Sequence, residues 1–228
     1  MLEKYFFKKE FEDKVIKSND ALACYLFAKK CKGANIPALQ EVVERSGDLN
    51  ACYLFARDIK GADIVSLQNS VQRGYSPKYL YYFAKDIKGA DINKLEDALV
   101  SSKDSLYCYN FAKDIKNANI SRLQDIVTQN GNAYLCYMFA KDVKGADVHT
   151  LQDVVEKSKD YKLCCWFARD VKNANIKQLE EVVIKSNDVN IYKLFVREVK
   201  GIDKDLFKRA INLKNQNAKA RESDDYCY

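Results

Sequence analysis

A phenylalanine recurs every 28 residues along this chain: Phe27, Phe55, Phe83, Phe111, Phe139, Phe167 and Phe195, without one insertion. Strict self-similarity at that period restricts a chain to a tandem array of one small unit. Each unit is too short to bury a core alone and has to stack on its neighbours. Each column of the repeat is named by its first-repeat member, except the acidic column, named for Asp58 because Lys30 stands at its first position.

Capping residues give the unit its secondary structure. The first capping column reads Asp20, Asp48, Ser76, Asp104, Asn132, Asp160 and Asp188, all preferred helix N-caps, and Pro77 follows Ser76 at the favoured first helical position. Twelve residues on comes Lys32, Lys60, Lys88, Lys116, Lys144, Lys172 and Lys200, placed as cations of the last helical turn, where the dipole favours them. Gly33, Gly61, Gly89, Asn117, Gly145, Asn173 and Gly201 follow, the two residue types that suit a left-handed C′ position. A second N-cap column begins at Asn35 and Asp63. Each repeat is therefore a helix of about three turns, a short turn and a second helix of two to three turns.

Apolar stripes complete the unit. Cys24, Phe27, Ala28 and Cys31 and their equivalents line one face of the first helix; Ile36, Leu39, Val42 and Val43 line the second. Residues 8–18 align with a lone second helix, with Phe11 and Val15 in core columns. The fold class that follows is all-α, a right-handed α-solenoid of seven two-helix repeats plus an N-terminal half-repeat. One domain over 1–213 has repeats beginning near 20, 48, 76, 104, 132, 160 and 188, and 214–228 follows as a polar, flexible tail. Only two prolines and eight glycines argue against an all-β chain, which needs a turn every few residues.

The repeat register also removes most catalytic chemistry. Cys24, Cys52, Cys108, Cys136 and Cys164 share one core column, a ladder without convergent metal-ligand spacing, and imply a reducing compartment. Cys227 in the tail is the most reactive candidate. The one histidine, His149, falls in a variable surface column, which excludes histidine-based triads. No catalytic residue, metal site or cofactor is expected. The charged amino terminus has no signal-peptide core and no stretch is long and apolar enough to span a bilayer, so the chain is placed in the cytoplasm, off the membrane, as a monomer.

A surface is left. Lys29, Arg57, Lys85, Lys113, Lys141, Arg169 and Arg197 are basic in every repeat, and Tyr25, Tyr53, Tyr81, Tyr109 and Tyr137 lie one turn away. Together they suggest a basic, aromatic stripe. The Asp58 column is expected to face the Lys32 column of a neighbouring repeat as a salt-bridge ladder, leaving the Lys29 column directed outward. Two variable columns are also directed outward. One reads Leu26, Leu54, Tyr82, Asn110, Met138, Trp166 and Leu194; the other reads Leu22, Asn50, Lys78, Leu106, Tyr134, Lys162 and Asn190. Tyr82, Met138 and above all Trp166 are the anchor candidates.

Over residues 8–213 the layout resembles the α-hairpin solenoids, the class of tetratricopeptide, HEAT and pentatricopeptide repeats. Its period is shorter than theirs, and the tetratricopeptide Trp/Gly/Tyr/Pro pattern is absent. The resemblance implies a groove for peptides, proteins or single-stranded nucleic acid. With net charge only +6, the expected function is a non-enzymatic scaffold or inhibitor that recognises a protein or peptide with an acidic surface. Binding to a nucleic-acid phosphate backbone is the alternative.

Overall fold

The computed structural model describes the backbone of residues 2–224 and the side chains of residues 9–214 and 216. Fifteen α-helices and no strand lie among the described residues. They are α1 (Leu2–Lys17), α2 (Ala21–Lys30), α3 (Ile36–Ser46), α4 (Leu49–Asp58), α5 (Ile64–Arg73), α6 (Pro77–Asp86), α7 (Ile92–Ser102) and α8 (Ser105–Asp114). Then come α9 (Ile120–Asn130), α10 (Ala133–Asp142), α11 (Val148–Lys157), α12 (Tyr161–Asp170), α13 (Ile176–Lys185), α14 (Val189–Glu198) and α15 (Lys204–Asp224). This is an all-α helical-repeat fold: even-numbered helices are the first helices of the repeats and odd-numbered ones the second.

Two compact units divide the chain, residues 1–119 and 120–228. In the first, the hairpins α2–α3, α4–α5 and α6–α7 stack in order, α8 follows α6, and α1 packs on α2 and α3. In the second, α10–α11, α12–α13 and α14–α15 stack in order, and α9 packs on α10 and α11. Each unit thus opens on a lone second helix, which covers the first hairpin as a preceding repeat would.

Capping fixes the helix starts. Asp20, Asp48, Asp104, Asn132, Asp160 and Asp188 each accept a backbone N–H two or three residues on, as do Asn35, Asp63, Asp91, Asp147 and Asn175. Ser76 makes no such bond; Pro77 alone marks that start.

The helix ends differ from expectation. Ile59, directly after α4, is extended (φ −98°, ψ 115°) and buried, and its carbonyl accepts the Ala62 N–H at 3.3 Å. Gly61, at φ 87°, is therefore the third residue of a β-turn with the left-handed residue of type II, rather than a helical C′ residue. Burying the Ile or Val at this column pulls the chain out of the helix one residue early. The lysine that follows lies in the turn, outside the helix. Positive φ persists in all seven repeats, including Asn117 at 66° and Asn173 at 65°.

The Phe27 and Leu39 columns form the core, with Phe55, Phe83, Phe111, Phe139, Phe167 and Phe195 fully buried beside Leu39, Leu67, Leu95, Leu123, Leu151 and Leu179. Desolvation raises the column cysteines, Cys136 to about 11 and Cys52, Cys108 and Cys164 to about 12, which keeps them as thiols. Their S–H groups point at carbonyls nine residues back, Cys52 to Val43 and Cys136 to Val127.

Both ends depart from the sequence expectation. Phe11 is exposed rather than in the core, its ring centroid 5.9 Å from that of Phe27. The final helix does not stop at 213. It continues to Asp224, because the segment after Gly201 holds no glycine or proline and carries several Lys, Ala and Arg. Cys227 lies outside the described residues.

Candidate functional site

Two polar ladders consume most of the constant columns. The first runs through the second helices. Gln40, Gln68, Gln124 and Gln152 are buried, and each side-chain amide clasps the backbone of the N-cap residue 23 positions on. The Asp63 N–H donates to Gln40 Oε1 at 2.8 Å while Gln40 Nε2 donates to the Asp63 carbonyl at 3.1 Å. Gln152 does the same with Asn175, at 2.8 and 3.2 Å. Glu96 and Glu180 take the place of glutamine and accept the N–H of Asn119 and Asp203; a carboxylate has no donor for the carbonyl. Glu12 of the half-repeat accepts from Asn35 N–H at 2.6 Å, so α1 carries the clasp too. The residue four on varies with the clasp: Gln40 and Gln152 donate to Glu44 and Glu156, whereas Val100 and Ile184 follow Glu96 and Glu180. A second carboxylate is avoided wherever the clasp itself is one.

The second ladder joins the first helices and corrects the expected pairing. The buried Tyr25 hydroxyl donates to Asp58 Oδ2 at 2.5 Å, 33 residues away, and Lys29 Nζ reaches the same oxygen at 2.7 Å and the tyrosine oxygen at 2.8 Å. Tyr81 and Lys85 meet Asp114, and Tyr137 and Lys141 meet Asp170, in the same way. Tyr53 donates to Asp86 at 2.6 Å. The partner of the Asp58 column across the repeat is therefore the Lys29 column rather than the Lys32 column. Lys29 is one helical turn from Tyr25 and on its side, while residue 32 is carried off by the extended residue before it. The Lys29 column, expected to point outward, is half-exposed where Lys29, Lys85 and Lys141 form ion pairs across the repeat.

The carboxylates record this company. The hydrogen-bonded Arg57 guanidinium, with Lys29 and Tyr25, holds Asp58 well below the usual carboxylate range, and Arg169 with Tyr137 and Lys141 does the same to Asp170. Burial pushes Asp114 up, but Lys85 and Tyr81 more than offset it. The ladder changes its chemistry once: Cys165 replaces tyrosine and Glu198 replaces aspartate. The longer acid still receives Arg169 Nη1 at 2.8 Å.

Each residue expected at a binding surface now has a place. Tyr81, Tyr109 and Tyr137 are buried and Tyr53 half-buried, so their faces are not open for stacking. Lys113 donates to Tyr109 at 3.1 Å and lies over its ring. The Arg197 side chain is 72% exposed and pairs with Glu198 of its own repeat. Tyr82 is half-buried between the rings of Tyr53 and Tyr81, and Met138 is half-buried. Trp166 stays exposed, its ring 6.5 Å from Tyr137.

Of the nine large hydrophobic residues exposed among the described residues, five fall in the two variable columns of the first helices. Leu22, Leu26, Leu106, Tyr134 and Trp166 are 38–56% exposed. In the turns that end these hairpins' first helices, Lys60, Lys88, Lys116, Lys144, Lys172 and Lys200 are exposed, with no carboxylate at ion-pair distance among the described residues. The buried clasp column was not expected from the sequence, although its restriction to Gln and Glu from Gln40 to Glu180 was a usable signal.

Among the described residues no helix is long and apolar enough to cross a membrane, and no group of three or more potential metal-ligating side chains converges. The chain matches no protein-family model, no curated protein and no solved structure.

Proposed function

We propose that this chain is a non-enzymatic helical-repeat scaffold that binds a protein partner along the outer face of its first helices. The observation carrying this is the confinement of most exposed large apolar side chains to the Leu22 and Leu26 columns. Those columns vary between repeats, whereas the constant polar columns are engaged in joining one repeat to the next. Variable exposed apolar residues flanked by cations have the composition of a recognition surface. The lysines in the adjoining turns favour acidic groups on the partner. A phosphate backbone has less to hold it, since the tyrosine rings are largely covered and Lys29, Lys85 and Lys141 each have a carboxylate at ion-pair distance.

A photo-crosslinking amino acid at position 106, 134 or 166, in the cells that make this chain, is expected to yield protein adducts. At the exposed second-helix positions 125 and 153 it is expected to yield none. Equal yields at both sets, or none at the first, would sink the proposal. Replacing Leu22, Leu26, Leu106, Tyr134 and Trp166 together with Ser should abolish binding of the partner so identified, measured with the crosslinker-free chain, while each change shifts unfolding by only about 0.5–1 kcal/mol.

A further inference from the structure

One groove breaks the repeat pattern at several positions at once. It lies between α5 and α7 in the first unit as an open groove of about 590 Å³, against about 300 Å³ for the groove between α3 and α5. The α3 groove is lined by Glu41, Glu44 and Ser66; the α5 groove has Asn69, Gln72 and Lys94 at the equivalent positions. Every other second helix from α3 to α13 carries an acid where Asn69 stands. One position on, Ser70 is buried where the other repeats hold Val, Ala or Ile, and its hydroxyl accepts from Arg73 Nη2 at 2.9 Å. A buried hydroxyl in an apolar column, bonded to a groove arginine, fixes that cation in place.

Tyr75 is the sharpest departure. Its φ is 49°, at a turn position that is left-handed between all repeats and is otherwise Gly, Asn or Lys. A bulky side chain is unfavourable in that conformation, and Tyr75 recovers little by burial, being 74% exposed. An uncovered ring held at a strained position beside a groove is a cost that folding does not explain. Gln72 Nε2 donates to the Lys94 carbonyl at 2.9 Å, tying the two walls together. Asp97 also lines the groove, and Lys94 has a long, exposed pair with Asp91 at 3.5 Å, worth little in water.

We propose that this groove binds an extended segment of another protein carrying a carboxylate beside an aromatic or apolar residue. Arg73 and Lys94 receive the carboxylate, Asn69 and Ser101 meet the peptide backbone with donor and acceptor groups, and Tyr75 packs on the neighbouring side chain. Amide and hydroxyl side chains suit a peptide backbone, which offers both N–H and C=O; a phosphate chain offers acceptors only. The groove is built from second helices and is separate from the first-helix surface.

Phage-displayed random dodecapeptides selected on the full chain supply the test. The recovered peptides are expected to share an acidic residue next to an aromatic or apolar one. They should bind at least tenfold more weakly to Arg73→Ala, Lys94→Ala and Tyr75→Gly, and normally to Tyr75→Phe. Tyr75→Gly should also raise the thermal midpoint, because glycine accepts the left-handed backbone; lost binding together with gained stability is not what a structural tyrosine would give. The five-serine variant of the first-helix surface should bind these peptides unchanged. Recovery of no peptide, absence of the acidic signature, full binding by Tyr75→Gly, loss in the five-serine variant, or displacement by a twenty-nucleotide thymidine oligomer would each overturn the proposal.

Discussion

Replacing Gln152 with Leu is expected to lower the unfolding free energy by about 2–4 kcal/mol, because it strands two part-buried backbone groups at about 1–2 kcal/mol each. Gln152 is 1% exposed, and its amide is the partner of both the N–H and the carbonyl of Asn175. Leucine fills similar space but offers neither donor nor acceptor. The milder change to Glu keeps the acceptor for Asn175 N–H, as Glu180 does for Asp203. It also sets a carboxylate against Glu156, now the acceptor of Gln152 Nε2 at 2.7 Å. Gln152→Glu with Glu156→Val is therefore expected to be more stable than Gln152→Glu alone, since it recreates the Glu180 and Ile184 pairing. Urea titrations of the three variants measure this; a Leu variant within about 0.5 kcal/mol of wild type would show that the clasp is dispensable.

Asp170→Ala is expected to be the next most damaging change. Asp170 accepts from Tyr137, Lys141 and both sides of the Arg169 guanidinium. Its loss leaves the hydroxyl of buried Tyr137 without its acceptor, Lys141 without its counter-charge and Arg169 with Glu198 alone, at a cost of about 2–3 kcal/mol. The effect is pH-dependent with a definite sign. The folded-state pKa of Asp170 is depressed, so its stabilisation is fully present above the unfolded-state value of about 3.9 and is lost as pH falls below that toward the folded value. Wild type and Asp170→Ala should therefore differ most at neutral pH and converge in acid. A gap that stays constant from neutral pH to acid would mean that the carboxylate charge contributes nothing.

Much of the fold is legible in the sequence because caps and core are local or periodic. Asp20 and its equivalents carry their meaning within three residues, and the Phe27 column is apolar in every copy. The joins between repeats are harder to read for the opposite reason. Tyr25 meets Asp58 across 33 residues and Gln40 meets Asp63 across 23, offsets that belong to three-dimensional stacking and to no helical period. Gln40 also breaks the usual rule that a polar residue in an amphipathic helix faces water, because its partner is backbone. The assignment of Asp58 to Lys32 failed on a single residue: extended Ile59 turns the following lysine away from its helix. At the candidate surface, Leu106, Tyr134 and Trp166 are exposed as their column predicts, while Tyr82 and Met138 are drawn in by neighbouring side chains. The Tyr75 groove had a visible cue, a tyrosine in a column of Gly, Asn and Lys, but the left-handed backbone that gives it meaning belongs to the folded chain.

That the constant basic and aromatic columns join repeats to one another, and leave recognition to the variable ones, is tested most directly by a double-mutant cycle between Tyr81 and Asp114. These residues lie on α6 and α8 within one unit and are hydrogen-bonded, with Lys85 Nζ at 2.6 Å from the same carboxylate oxygen. Unfolding free energies of wild type, Tyr81→Phe, Asp114→Ala and the double variant should give a coupling of about 1.5–3 kcal/mol, the range for a hydrogen bond to a charged group. Additivity within about 0.5 kcal/mol would contradict the account and return the tyrosines and their lysines to the candidate binding surface.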